Sequence, residues 1–320
     1  MKKSLRLLLS IGLSLILLAY FFEYAEFCEV VALLKKVDGM LLFICFFFYS
    51  ALSVLRSFRI KILIHKKLSI NQIIPILLKY NVLNFVMPFR LGELTYLYFM
   101  KRTRKVSVHL ALASLAYIRV IDILYLFILF CVCIFFAKNV SGDILHYRVA
   151  GIFFGSFALL VALVLLFCNA IIRNLLNKLL HSLGRTLPIK KLSGFITRTL
   201  DNIDSYRTEG TLMASNLLTL FIWILIFGFY YSLALSIKTE LSFFDFSLVV
   251  LLINLTALLP IQGVAGVGTF EGAVILGMTN FGIPLTTAIP FSLSLHILYI
   301  CYFVTFGIIG VMIGIFDSET

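Results

Sequence analysis

Residues 72–100 read QIIPILLKYNVLNFVMPFRLGELTYLYFM. The stretch is apolar enough for lipid, but proline, glycine and charge interrupt it, so it makes a poor straight span. Pro88 has no backbone N–H to donate and disfavours helix at Met87. Gly92 permits a turn that other residues resist. Whether this stretch crosses a bilayer, or enters and leaves on one side, sets the topology of everything after it.

The rest of the chain places that question in a membrane. Of 320 residues, 62% are hydrophobic and 13% charged, with a mean hydropathy of +1.08. A soluble domain carries about 25% charged residues, and no part of this chain is polar enough to be one. A span needs about 20 mostly apolar residues. Six stretches qualify: 5–22, 38–64, 107–137, 148–170, 211–237 and 286–316. The first opens on basic residues like a signal peptide, but no small-x-small cleavage site follows it before Glu23, so it is expected to stay as a helix. A second interrupted stretch lies at 244–283.

Charge then decides the topology. With Lys2, Lys3 and Arg6 on the cytoplasmic side, the loop after the second span, read as holding Arg56, Arg59, Lys61, Lys66, Lys67 and Lys79, is also cytoplasmic. If 72–100 returns to the side it entered, Lys101, Arg102, Arg104, Lys105 and the basic segment 171–210 fall inside as well. Only Lys35, Lys36, Lys138, Arg148 and Lys238 fall outside, while Arg90 and Arg119 lie within membrane segments. Cytoplasmic loops collect Lys and Arg in this way. A full crossing by 72–100 would reverse the later loops, although two short crossings would preserve them. By the same count 244–283 dips in from the outside, and both termini are cytoplasmic. The fold expected is an all-α polytopic bundle, one domain over 1–320, with about six spans and two opposed re-entrant or broken-helix hairpins, arranged like an inverted repeat. Apolar positions at helical spacing from Ile172 to Leu183, with basic residues between them, predict an amphipathic cytoplasmic helix over about 171–206.

The net charge of +12 is explained by those loops, so no nucleic-acid partner is expected. Five of the six cysteines sit in apolar runs, and no Cys/His cluster is present. No metal or cofactor is therefore expected.

Polar groups at membrane depth are few, and they are the candidate site. Hairpin one runs NVLNFVMPFRLGE from Asn81 to Glu93, and hairpin two runs NLTALLPIQGVAGVGTFE from Asn254 to Glu271. Each places amide, proline, glycine and glutamate in that order, with Pro88 and Pro260 shaping the breaks. A broken helix presents free N–H groups and a positive dipole end, which suits phosphate. Arg90 is the natural phosphate partner. GVAGVG lacks the Lys-Ser/Thr and sheet of a nucleotide loop. Each residue also has a plainer role. Arg90 and Glu93 could neutralise each other, and Arg119 and Asp122, three apart, could pair as neighbours. Glu271 has no basic residue near it in sequence and calls for a partner across the bundle. His296 suits a hydrogen-bonded core position, and Tyr96, Tyr98, Tyr299 and Tyr302 suit the membrane interface.

N-x-x-x-P-x-R-x-G-E, then R-x-x-D, then P…G-x-x-G-x-G-x-x-E resembles the flippase-like membrane domain of lysylphosphatidylglycerol synthases over essentially the whole chain. The resemblance implies substrate-binding roles for Asn84, Arg90, Gly92, Glu93, Arg119, Asp122, Gly266, Gly268 and Glu271. It also implies movement of an anionic, glycosylated, aminoacylated or polyprenyl-phosphate-linked lipid between leaflets of the cell membrane, the headgroup phosphate being the ligand. The synthases carry a cytosolic aminoacyl-transfer domain. With the chain ending at Thr320, the expectation is transport and no enzyme activity, with a separate lipid-synthesising enzyme as candidate partner. An integral membrane glycosyltransferase or other lipid-modifying enzyme is one alternative, since carboxylates in a cavity could serve as acid or base. A small-solute secondary transporter is the other.

Overall fold

The structure is a computed structural model that describes residues 27–87, 91–103, 105–137, 187–208, 210–257 and 264–316, with the single positions 156, 174 and 178. The expected spans 5–22 and 148–170, the segment 171–186 of the expected amphipathic helix, and Pro88, Arg90 and Pro260 lie outside these residues. All described elements are helical. Four are long: α2 (Gly39–Leu63), α5 (Val108–Phe136), α7 (Thr211–Ser236) and α10 (Leu285–Phe316). They coincide with four of the six expected spans and are long and apolar enough to cross a membrane. The others are α1 (Phe27–Lys35), α3 (Ile70–Val86), α4 (Glu93–Arg102), α6 (Leu187–Thr208), α8 (Phe243–Thr256) and α9 (Thr269–Asn280).

Side-chain oxygens set many of the helix starts by taking the orphan N–H groups of a first turn. Asp38 accepts from Met40 N at 2.8 Å, Ser107 caps α5 and Ser242 caps α8. Ser69 and Gln72 form a reciprocal capping box at α3. α2 and α7 run antiparallel: Asp38 N–H donates to Ser236 O at one end, and Arg59 reaches Thr219 near the other.

The two interrupted stretches fold into antiparallel hairpins. Gly92 lies on Asn84 and Tyr96 stacks edge-on against Tyr80, so α4 runs back along α3. Gly277 lies on Val249, so α9 runs back along α8. α3 and α8, with 17 and 14 residues, are about 25 and 21 Å long. Their return arms, with 10 and 12 residues, are about 15 and 18 Å, and a hydrocarbon core is about 30 Å thick. α3 starts beside the end of α2, whereas α8 starts beside the end of α7, next to the start of α2. The hairpins therefore enter the bundle from opposite ends.

The buried side chains form two principal clusters. One joins α2, α7, α8, α9 and α10 around Tyr49, Phe229 and Phe246. The other joins the end of α2 with α3, α4 and the start of α5 around Tyr96, Tyr117 and Tyr206. α6 seals the second with Tyr206, fully buried against His65 and Tyr117. Outward-facing Phe43, Phe47, Met213 and Ile308 are more than half exposed, as residues facing lipid are.

Candidate functional site

Where the two clusters meet, the bundle encloses a polar cavity of about 230 Å³. Its wall comes from both hairpins and all four long helices. α2 contributes Arg56 and Arg59, α3 contributes Tyr80, Asn81, Asn84 and Phe85, and α5 contributes Arg119 and Asp122. Tyr230, Asn254, Gly266, Thr269, Phe270, Tyr299 and Phe303 complete it.

The charges are paired across elements, not along one helix. Arg59, 4% exposed, donates to Asp122 through both terminal nitrogens, at 2.6 and 3.3 Å. It also donates to Thr219 Oγ1 at 3.0 Å. Arg119 forms an ion pair with Glu93 at 2.8 Å and donates to Tyr80 OH at 2.9 Å. The neighbour pairing of Arg119 with Asp122 is thus replaced: each residue takes a partner from another segment. Arg119 ties α4 to α5, and Arg59 ties α5 to α2 and α7. A bidentate guanidinium–carboxylate pair fixes orientation as well as distance.

Arg56 and Arg59 correct the sequence reading, which placed them in a cytoplasmic loop. They lie inside α2, three residues apart on one face. The R-x-x-R spacing within a stretch already long enough to span was the available signal. Basic residues near a span end are so often loop residues that it was outweighed.

Gly92 does not supply a left-handed turn, since its φ is −60°. Its role is close approach: a Cβ there would fall about 2.5 Å from Asn84 N and collide with the α3 backbone. Asn84 keeps a buried Oδ1 with no hydrogen-bond donor among the described residues.

In hairpin two, Gly266 and Gly268 have φ of +75° and +86° and Ala265 +54°. These left-handed residues turn the chain from the break into α9. Glu271 fastens that turn: one oxygen accepts from Gly268 N–H at 2.7 Å, and the other is hydrogen-bonded to His296 Nδ1 at 2.6 Å. The far ring nitrogen of His296 lies 3.1 Å from Ala265 O, and Phe270 stacks on the ring. Glu271 finds its partner across the bundle, and His296 is the hydrogen-bonded core residue expected. Both are 2% exposed, behind the cavity wall, with Gly268. Asn84, Arg119, Asp122 and Gly266 line the cavity, Glu93 holds Arg119, and Gly92 seats Asn84.

The tyrosines divide. Tyr98 is exposed, while Tyr96 is buried on Ser114 and Tyr299 lines the cavity, stacked on Tyr230. Tyr302 reaches Leu42 O at 2.5 Å.

Beside the cavity, α3 turns its other face to an apolar groove of about 510 Å³. Val82 and Leu83 of α3, Phe99 of α4, and Val304, Ile308, Val311 and Met312 of α10 line it, with Lys79 at its edge.

No curated protein and no solved structure matches the chain. The model of one family, the lysylphosphatidylglycerol synthase TM region, matches residues 7–307. This all-helical, multi-pass membrane chain therefore belongs to the lysylphosphatidylglycerol synthase transmembrane-region family.

Proposed function

We propose that the protein is a lipid translocase, carrying a phospholipid or polyprenyl-phosphate-linked lipid between leaflets without modifying it. The observation behind this reading is the pairing of two unlike spaces on one helix. α3 has a polar, arginine-lined cavity on one face and an apolar groove on another. An amphiphile fits that division, with its headgroup in the cavity and an acyl or prenyl chain in the groove. Family membership supports a lipid as the ligand. In this reading the hairpins are re-entrant, α3–α4 from the cytoplasmic side and α8–α9 from the outer side of the cell membrane, with both termini cytoplasmic. A site near mid-membrane between two opposed hairpins suits alternating access.

The test is leaflet exchange of fluorescent lipids in liposomes holding the purified protein. Wild type is expected to exchange at least one lipid class. Asn84→Ala should slow exchange by removing a headgroup contact, and Ile308→Trp should slow it by filling the groove. A well-folded protein that exchanges none of phosphatidylglycerol, aminoacylated or polyprenyl-phosphate lipids would sink the reading. New lipid product formed from an added sugar donor would replace it with an enzyme.

A further inference from the structure

We infer that the cavity takes an anionic phosphate ester and discriminates against headgroups bearing ammonium groups, aminoacylated ones included. The inference deepens the translocase reading and rests on it for the ligand being a lipid. It follows from where the carboxylates go. An ammonium brought to membrane depth needs an anion to meet it. The carboxylates that the chain carries in its apolar segments are Asp38, Glu93, Asp122, Asp245 and Glu271, and each is engaged, Asp38 as the cap of α2. Asp122 is held by both arms of Arg59, Glu93 is held by Arg119, and Glu271 is buried on Gly268 and His296. Asp245 sits in the first turn of α8, bonded to its own cap Ser242.

The cations are not all spent. Arg56, in the cavity wall, makes no ion pair among the described residues. It lies within electrostatic reach of the hydroxyls of Tyr49, Tyr230 and Tyr299. Among the described residues, Arg56, Arg59 and Arg119 against Asp122 and Glu93 leave one positive charge in excess. Hydrogen-bonding capacity leans the same way. The Nε–H groups of Arg59 and Arg119 are buried without acceptors among the described residues, whereas Asn84 Oδ1 is a buried acceptor left open. A phosphate oxygen accepts from the Arg56 fork, and one neutral hydroxyl of a glycerol or sugar donates to Asn84. A lysyl or similar amine would meet the arginines with no unengaged carboxylate among the described residues to balance it.

Arg56→Gln and Arg56→Lys, each checked for monodisperse elution, are compared with wild type in liposomes offering labelled phosphatidylglycerol, phosphatidylethanolamine and lysylphosphatidylglycerol. Phosphatidylglycerol is expected to exchange at least about tenfold faster than the lysylated lipid, the scale of one charge-assisted hydrogen bond. Arg56→Gln should erase most of that preference, and Arg56→Lys should restore part. Equal or faster exchange of the lysylated lipid overturns the charge inference and leaves a translocase. If no lipid moves, the translocase reading falls, and the cavity is read by melting temperature in detergent. There, Arg56-dependent stabilisation by dihexanoyl-phosphatidylglycerol or free glycerol 3-phosphate supports an anion site, lipid or soluble. Equal response to the ethanolamine lipid, or no response, overturns it.

Discussion

Arg59 is the residue whose environment leaves least room for change. Asp122→Ala strands a guanidinium that is 4% exposed, and breaking a buried pair from one side costs about 3–5 kcal/mol. The lower part of that range is expected, because Thr219 still accepts from Arg59. Replacing both members, Arg59→Met with Asp122→Leu, should recover most of the lost melting temperature in detergent while abolishing transport. Glu271→Ala is expected to act locally. It frees Gly268 N–H and His296, costs about 1–3 kcal/mol, and should speed hydrogen exchange at residues 264–268 ahead of the rest of α9. That Arg119, Asp122, Glu93 and Glu271 need partners was legible in the sequence, since ionised groups among apolar ones must find them. Their partners were not legible, because a pair such as Arg59–Asp122 joins residues 63 positions apart and no local spacing encodes it.

At the scale of the helix, the hairpins depend on backbones coming close. Gly92→Val would drive a branched side chain into the main chain of α3 at Asn84. A backbone cannot yield as a flexible side chain does, so the cost should exceed the roughly 1–3 kcal/mol of ordinary overpacking. Crosslinking between Tyr80→Cys and Tyr96→Cys, efficient in the parent hairpin, should fall sharply in the Gly92→Val background. α3 and α10 also meet at glycines, but there the facing atoms are side-chain ones, Leu78 Cβ on Gly310 and the Val82 side chain on Gly307. Gly310→Leu should therefore melt at lower temperature and transport poorly. The sequence pointed to the breaks in both hairpins through proline and glycine. It misassigned what Gly92 does, because a glycine used for contact and one used for a turn look alike until the facing helix is known.

For the whole molecule, the arrangement predicts which surfaces face which compartment. In a cysteine-free background, Ser69→Cys and Lys105→Cys, at the two ends of the α3–α4 hairpin, should both react with impermeant maleimide from the cytoplasmic side. Lys238→Cys and Asn280→Cys should react from the outside. Labelling of Ser69→Cys and Lys105→Cys from opposite sides would mean that the stretch crosses. Charge asymmetry between the loops is what gives this expected orientation its direction. The cavity was not readable, because it forms where six chain segments converge. The two faces of α3 carry one more consequence. A helix is a wall, and no covalent molecule can keep its head on one side and its tail on the other unless the wall stops short. α3 ends at Val86, about 25 Å from its start. On the proposed translocase reading, the threshold over which a lipid would swing its head is the tip of a helix too short to reach the far leaflet, and lengthening α3 by one turn should then slow exchange without touching either room.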